Sequence, residues 1–183
     1  MPTRTRCRSG SSRCAVALAV TLTLSTAVHS ITPAACGATV SAEAATRRLN
    51  DVRARGLACR SGATAKASPL AWNDRLADAA QTQAREMARL GRMSHRDGQN
   101  HGLGERVRAV GYVLGSAVEN VAVGYPSLDD VVDAWLDSEG HCENIMNAAV
   151  LEFGLACVDA GETTAPEEHR YWALVLAAPL RRR

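Results

Sequence analysis

Three side chains of this sequence have types that could carry out chemistry together: His95, Glu119 and His141. Two imidazoles and a carboxylate can hold a divalent cation, and zinc suits such a set best. They can also form a general base, in which the carboxylate orients one histidine. Alternatively, the three groups form a hydrogen-bonded core network and bind nothing. The chain has no H-E-x-x-H sequence, so only the tertiary fold can bring these residues together.

The segment 135–146 places two further candidate groups, Ser138 and Glu139, beside His141. Apolar residues at helical spacing lead up to Gly140. The glycine predicts that the helix ends there and that His141 lies just beyond its end. Ser138 is close enough to His141 in sequence to be a nucleophile, but the usual role of such a serine is to cap or hydrogen-bond a turn. Because the chain has no G-x-S-x-G elbow, the sequence favours the capping role.

The elements that must position these residues follow from the hydrophobic periodicity of the chain. Asn73 is predicted to cap the start of one helix, and Gly91 to end it. Helices that precede strands are typical of an α+β fold, here with an antiparallel sheet covered by helices. We predict helices at 41–56, 73–90, 105–110 and 127–138, strands at 117–124 (interrupted by Glu119 and Asn120), 152–158 and 169–178, and a polar loop at 161–168.

The first thirty residues have the composition of an export signal, with four arginines before an apolar run at 15–28. The run is too short for a comfortable membrane span. We therefore predict a signal peptide at 1–30, an N-terminal segment at 31–44, one domain at 45–179 and a basic tail at 180–183, in a secreted protein that is not integral to a membrane. Without the signal, 17 basic residues face 19 acidic ones, which argues against nucleic-acid binding.

Four cysteines follow the predicted signal: Cys36, Cys59, Cys142 and Cys157. Exported proteins fold where disulfides persist, so we predict that these cysteines stabilise the domain as disulfides. The absence of a C-x-x-C spacing argues against a zinc knuckle. Spacing alone leaves all three possible pairings open.

Several motifs occur in a fixed order along the domain. They are Leu70-Ala71-Trp72-Asn73, Ser94-His95, Glu119-Asn120-Val121-Ala122-Val123-Gly124, the W-x-x-S-x-G-H-C-x-N-I-M-N block that begins at Trp135, and Tyr171-Trp172. This ordered set resembles the bacterial form of the CAP superfamily, also called the SCP domain (cysteine-rich secretory proteins, antigen 5 and pathogenesis-related proteins). The resemblance implies a three-layer α-β-α sandwich with a small antiparallel sheet.

The resemblance also implies a cleft that holds a His-Glu-Glu-His tetrad. His95, Glu119 and His141 match three of its positions. At the fourth position, where eukaryotic relatives carry glutamate, this chain has Ser138, with Glu139 next to it. Neighbouring side chains on a helix point in different directions, so Glu139 need not face the cleft. The implied metal site therefore consists of His95 and His141, with water completing the coordination shell.

The same resemblance implies a pairing for the cysteines. In bacterial relatives a cysteine after the first helix tends to accompany the one after the second histidine, which corresponds to Cys59–Cys142. Cys36 and Cys157 are then left to pair or to stay free, and Cys142–Cys157 is the rival bridge.

Two functions are compatible with this resemblance. The first is a secreted binding module that holds a divalent cation, with zinc as the favoured ion, and recognises a lipid, a glycan or a cell-envelope partner without an agreed catalytic reaction. The second is an extracellular hydrolase that uses a metal-activated water or a Glu119-oriented histidine. Neither function involves nucleic acid.

Overall fold

The computed structural model describes residues 41–56, 58–59, 62–63, 66–160 and 169–181. The predicted signal peptide, the segment before Ser41 and the predicted loop at 161–168 lie outside these residues. The helices are α1 (Ala42–Arg55), α2 (Asp74–Leu90), α3 (Leu103–Ala109), α4 (Leu128–Asp137) and α5 (Glu139–Met146). The strands are β1 (Ala58–Cys59), β2 (Gly62–Ala63), β3 (Ala71–Trp72), β4 (Leu114–Val123), β5 (Glu152–Asp159) and β6 (Arg170–Pro179).

The main sheet has four strands in the order β3-β5-β6-β4, and β1 and β2 form a separate antiparallel pair. The three long strands β4, β5 and β6 are antiparallel, as predicted. The short β3 was not predicted, and it adds to this sheet in parallel with β5. Two residues carry too little periodicity to predict a strand, and β3 forms because the chain that enters α2 runs alongside β5.

Helices cover both faces of this sheet, which gives the predicted α+β, three-layer sandwich. Alternate residues of β6 point to opposite faces, so that Leu174 and Leu176 pack in one core and Ala173 and Val175 in the other. Residues of α1, α4 and α5 fill the first core. Residues of α2 and α3 fill the second.

Local capping signals fix most helix ends close to their predicted positions. The Ser41 hydroxyl accepts from the N–H of Ala44 at the start of α1. The side chain of Asn73 accepts from two N–H groups at the start of α2, and Gly91 ends that helix in the left-handed region with φ 65°. The Ser127 hydroxyl caps α4 through the N–H of Asp130.

One glycine allows α2 to lie directly on the sheet. Gly154 of β5 is so close to the start of α2 that a Cβ atom there would lie 1.9 Å from the backbone nitrogen of Ala77. No side chain fits in that space, so glycine sets the distance between this helix and the strand.

Two sequence expectations near the candidate site were wrong. Gly140 does not leave His141 beyond a helix end. Instead, α4 ends at Ser138 and a new helix, α5, begins at once, with His141 in its first turn. Glu119 and Asn120 do not interrupt β4, which pairs with β6 at both positions. The two polar side chains are tolerated within the strand because each has a hydrogen-bonding partner on a neighbouring helix.

Candidate functional site

The candidate site lies at the open edge of β4. Among the strands that the structure describes, β4 is the last of its sheet, so its outer carbonyls face no further strand there. Side chains from the helices bind them instead: the indole N–H of Trp135 donates to the carbonyl of Val121 at 3.3 Å, and Asn144 donates to that of Glu119 at 3.4 Å. The helices α4 and α5 are thereby held against this edge.

A buried ion pair fixes the carboxylate of Glu119. Its Oε1 lies 2.5 Å from Nη2 of Arg106 on α3, and both side chains are 2% exposed. The guanidinium also donates through Nη1 to the carbonyls of His95 and His101. Arg106 therefore joins Glu119 to the backbone of the loop that carries His95.

The imidazole of His95 is oriented by the same carboxylate. Its Nδ1 lies 3.0 Å from Oε2 of Glu119. Because an ionised carboxylate can only accept, Nδ1 carries the proton and Nε2 remains available. The hydrogen bond to Glu119 raises the pKa of His95, and burial partly opposes this shift. The imidazole is 60% exposed, so Nε2 can be reached by a ligand.

The loop around His95 is anchored from beneath by a second buried side chain. Gln83 of α2 is fully buried, and its amide donates to the carbonyl of Ser94 at 2.5 Å and to that of Arg96 at 3.5 Å. Together with the bond from Arg106 to His95, three consecutive carbonyls are thus held from inside the domain.

His141 approaches from α5, on the other side of the β4 edge. Burial lowers its pKa, and the charge of His95 lowers it further. The next residue, Cys142, forms the predicted disulfide with Cys59, which ties α5 to β1. At the far end of α5, Nη1 of Arg53 donates to the carbonyls of Ile145 and Asn147.

The bridge between Cys59 and Cys142 confirms the favoured pairing and excludes the rival Cys142–Cys157 bridge. Cys157 is also disulfide-bonded. Cys36, which the sequence left for it, lies outside the described residues.

A cavity of about 210 Å³ opens beside His141. Its lining is otherwise uncharged, and Ser138 contributes a hydroxyl that makes no capping hydrogen bond to α5. Ser138 therefore occupies the N-cap position of α5, but its hydroxyl does not make the predicted capping hydrogen bond. The other lining residues are mostly apolar: Met93, Val121, Ala122, Val123, Tyr125, Ala134 and Trp135.

Glu139 and His101 lie apart from this arrangement. Glu139 is exposed at the start of α5 and is not among the residues that line the cavity. His101 is exposed in the loop after His95 and pairs through Nδ1 with Asp97 at 2.9 Å. The carboxylate of the site is thus Glu119.

Sequence reasoning did not identify the roles of Arg106, Gln83, Asn120 and Asn144. A buried glutamate requires a cation, and an arginine on the preceding helix is a reasonable candidate for it. No local pattern distinguishes Arg106 from the exposed Arg108 of the same helix, however. Arg106 is the partner of Glu119 because the fold places α3 beside β4.

The donor set fits a metal only in part. His95 resembles a typical metal-binding histidine, because a carboxylate orients the ring through the nitrogen that faces away from the ligand. Within the described ranges, no three His, Cys, Asp or Glu side chains are grouped so that they could hold an ion. The set therefore suits a cation held by two imidazoles and water, with one protein ligand fewer than the three usual in catalytic zinc sites.

A family model of the cysteine-rich secretory proteins, CAP, matches residues 46–176. The uncharacterized protein YkwD of Bacillus subtilis is 28% identical over 93 residues, which cover 51% of this chain and 36% of that protein. An extracellular SCP-domain protein from Bacillus anthracis has 21% identity and a TM-score of 0.57, over 74% of this chain and 40% of that one. An outer surface protein from Borrelia burgdorferi has 18% identity and a TM-score of 0.59, over 78% of this chain and 98% of that one.

The chain spans less than half the length of the two Bacillus proteins that it matches. At these identities, the likeness to the solved structures shows the fold. Of the helices that the structure describes, none is long and apolar enough to cross a membrane. Because the family model covers most of the sequence, this protein belongs to the cysteine-rich secretory protein (CAP) family.

Proposed function

We propose that this protein is an extracytoplasmic binding module whose cleft holds a divalent cation, zinc in the first instance, between His95 and His141. The observation that carries the proposal is the hydrogen bond from Nδ1 of His95 to the buried carboxylate of Glu119, which leaves the exposed Nε2 free to bind a ligand. The pKa of His141 is lowered by burial and, to a smaller extent, by the charge of His95, which supports a shared site for the two imidazoles. Bound zinc would supply a positive charge for an oxygen of a ligand.

The charges around the site limit how tightly a cation can bind. Glu119 is neutralised by Arg106 and hydrogen-bonded to His95, so it contributes no free negative charge. Two neutral imidazoles are then the only protein ligands, and a dication must compete with protons for them. The pKa of His95 is raised and that of His141 is lowered. His95 is therefore the imidazole that keeps its proton to the higher pH, and its deprotonation limits zinc binding. We expect weak zinc binding that strengthens as the pH rises through the pKa of His95.

The size and apolar lining of the cavity beside His141 suit a small apolar group of a ligand. Its volume of about 210 Å³ is below the ~300–1,000 Å³ of sites that enclose a drug-sized molecule. It could bury one ring or a few carbons of a larger molecule, with polar contacts from Ser138 and His141. Part of a lipid, a glycan or another cell-envelope component meets this description, and the remainder would lie on the protein surface.

Three observations support an extracytoplasmic location. The sequence begins with an arginine-rich segment followed by an apolar run, as export signals do. Two related structures are described as an extracellular protein and as an outer surface protein. A disulfide that joins α5 to β1 also suits an oxidising compartment.

Zinc titration calorimetry tests the metal site. We expect saturable binding to the mature protein and none to the His95→Ala/His141→Ala double variant, with unfolding curves recorded to show that both are folded. His101→Ala is the matched control, because His101 is also a loop histidine paired with a carboxylate but lies outside the site. Absence of binding to the wild type, or equal binding to the double variant, would exclude the proposal.

A hydrolase is the second candidate, and one specific observation favours it. Glu119 orients His95 as a carboxylate orients a general base. The hydroxyl of Ser138, which makes no capping hydrogen bond, lines the same cavity as His141. Hydrolysis of small esters, measured with and without zinc, tests this candidate. Activity that is lost in both His95→Ala and Ser138→Ala would establish it, and no turnover by the wild type would dismiss it for esters.

A further inference from the structure

Three hydrogen bonds join the backbone of Glu119 to the backbone of His141 through two asparagine side chains. Asn144 of α5 donates from Nδ2 to the carbonyl of Glu119 at 3.4 Å and to Oδ1 of Asn120 at 2.8 Å. Asn120 of β4 donates from its own Nδ2 to the carbonyl of His141 at 3.0 Å. Each end of this chain of bonds is thus the main chain of a candidate site residue.

The chemistry at the two ends fixes how both amides point. A backbone carbonyl can only accept a hydrogen bond, so the NH₂ group of Asn144 must face Glu119 and that of Asn120 must face His141. Between them, Oδ1 of Asn120 accepts from Asn144. Only a side chain with a donor and an acceptor on one planar group can serve at position 120. Aspartate lacks the donor, and an apolar residue lacks both.

The asparagines are not needed merely to hold α5 in place. The helix is tied to β1 by the disulfide at Cys142, and Arg53 binds the carbonyls at its C-terminal end. Neither attachment reaches β4: the disulfide fixes the residue next to His141 relative to β1, and Arg53 binds the far end of the helix. The first turn of α5 carries His141. Asn120 of β4 binds the carbonyl of His141, and it directly follows Glu119, which orients His95.

We propose that Asn120 and Asn144 are positioning residues, which fix His141 relative to His95 and Glu119 so that the two imidazoles can face one ligand. Asn120 lies on a strand of the sheet and Asn144 lies on a helix of the layer that covers it. Asn120 is fully buried. The hydrogen bond from Asn120 to the carbonyl of His141 restricts the position of the His141 backbone relative to β4 more than packing alone would. The proposal rests on the proposed function, since a shared ligand gives the spacing of the imidazoles its purpose.

The test compares Asn144→Ala with the matched control Asn50→Ala. Asn50 is also an asparagine on a helix, and it makes two bonds to the backbone of Leu70, at 3.0 Å and 2.7 Å, away from the cleft. Both variants lose side-chain-to-backbone bonds, so both should lower the melting temperature. We expect the zinc Kd to rise about tenfold or more in Asn144→Ala, as is usual when a supporting residue outside the ligands is removed. In Asn50→Ala it should not change.

Hydrogen exchange of the backbone amides provides a second readout that needs no metal. In Asn144→Ala we expect faster exchange in α5 with no change in α2, whereas Asn50→Ala should leave α5 as in the wild type. Asn120→Ala should reproduce the effect of Asn144→Ala, because both changes break the same chain of bonds.

The outcomes separate this inference from the proposed function. If the wild type binds zinc and Asn144→Ala binds it equally well, or if Asn50→Ala weakens it as much, the positioning role is overturned. If the wild type binds no zinc, the proposed metal site fails and hydrogen exchange decides the inference. Faster exchange confined to α5 supports it, and unchanged exchange overturns it.

Discussion

Glu119→Ala is the substitution that most directly tests the structure of the site. It removes the carboxylate that pairs with Arg106 and orients His95. Since Arg106 is buried and stays charged, the variant leaves a cation in the interior without its counter-ion. The main consequence should therefore be a loss of stability, accompanied by release of the His95 ring.

The size of the loss follows from the contacts that remain. Breaking a buried ion pair by removing one partner costs about 3–5 kcal/mol. Arg106 keeps the carbonyls of His95 and His101 as acceptors, at 3.0 Å and 3.1 Å, so we expect the lower end, about 3 kcal/mol. His95 adds little, because its imidazole is 60% exposed and solvent screens the interaction. Glu119→Gln keeps an acceptor for Arg106 and should cost less, about 1.5 kcal/mol.

Urea unfolding at neutral pH, followed by circular dichroism, measures these differences. A cycle of Glu119→Leu, Arg106→Met and the double variant then isolates the pair. Because a buried pair can often be replaced by apolar residues at small cost, the double variant should be more stable than the sum of the single changes predicts. We expect a coupling free energy of about 2 kcal/mol between Glu119 and Arg106.

Two results would refute this reasoning. A loss below about 1 kcal/mol for Glu119→Ala would place the pair in the range of solvent-exposed ion pairs. A double variant whose loss equals the sum of the two single losses would show that Glu119 and Arg106 contribute independently. Either result would mean that the carboxylate is not held as the structure has it.

Three further predictions concern other parts of the domain. Gly154→Ala should reduce stability by about 3 kcal/mol in thermal unfolding, because the new Cβ overlaps the backbone of α2. Replacing Cys59 and Cys142 by serine should cost about 4 kcal/mol, since the bridge closes a sequence separation of 83 residues; a change in melting temperature no larger than that of Asn50→Ala would contradict this. Glu119→Gln should lower the pKa of His95 in an NMR titration. In the wild type this raised pKa stabilises the fold below the ordinary value of 6.5, and that contribution disappears as the pH rises through the folded pKa.

Local sequence signals predicted most helix boundaries because their causes are local. The hydroxyl of Ser41, the amide of Asn73 and the left-handed Gly91 each act within one helical turn. The same logic failed at Gly140. A glycine can end a helix, but α5 is joined to β1 by a disulfide and bound by Arg53, and these distant contacts allow a helix to start there.

The polar residues of β4 illustrate the opposite limit. Glu119 and Asn120 are poor strand formers, and from sequence alone they predict an interruption. They stay in the strand because alternate side chains point to opposite faces of the sheet. On one face Glu119 pairs with Arg106, and on the other Asn120 accepts a hydrogen bond from Asn144. Neither partner can be chosen from the sequence, because residue type does not distinguish Arg106 from the other arginines, and only the placement of α3 beside β4 brings it to Glu119.

The sequence by itself determined the fold class, the bridge between Cys59 and Cys142 through a family resemblance, and the identity of His95, Glu119 and His141 as candidate groups. These depend on periodicity, on capping within a turn, and on ordered motifs, all of which can be read along the chain. Only the tertiary structure decided that Glu119 is shared by His95 and Arg106, that Glu139 lies outside the cavity, and that two asparagines join β4 to α5. Those facts depend on which elements meet across the edge of the sheet, and this is set by packing between residues distant in the chain.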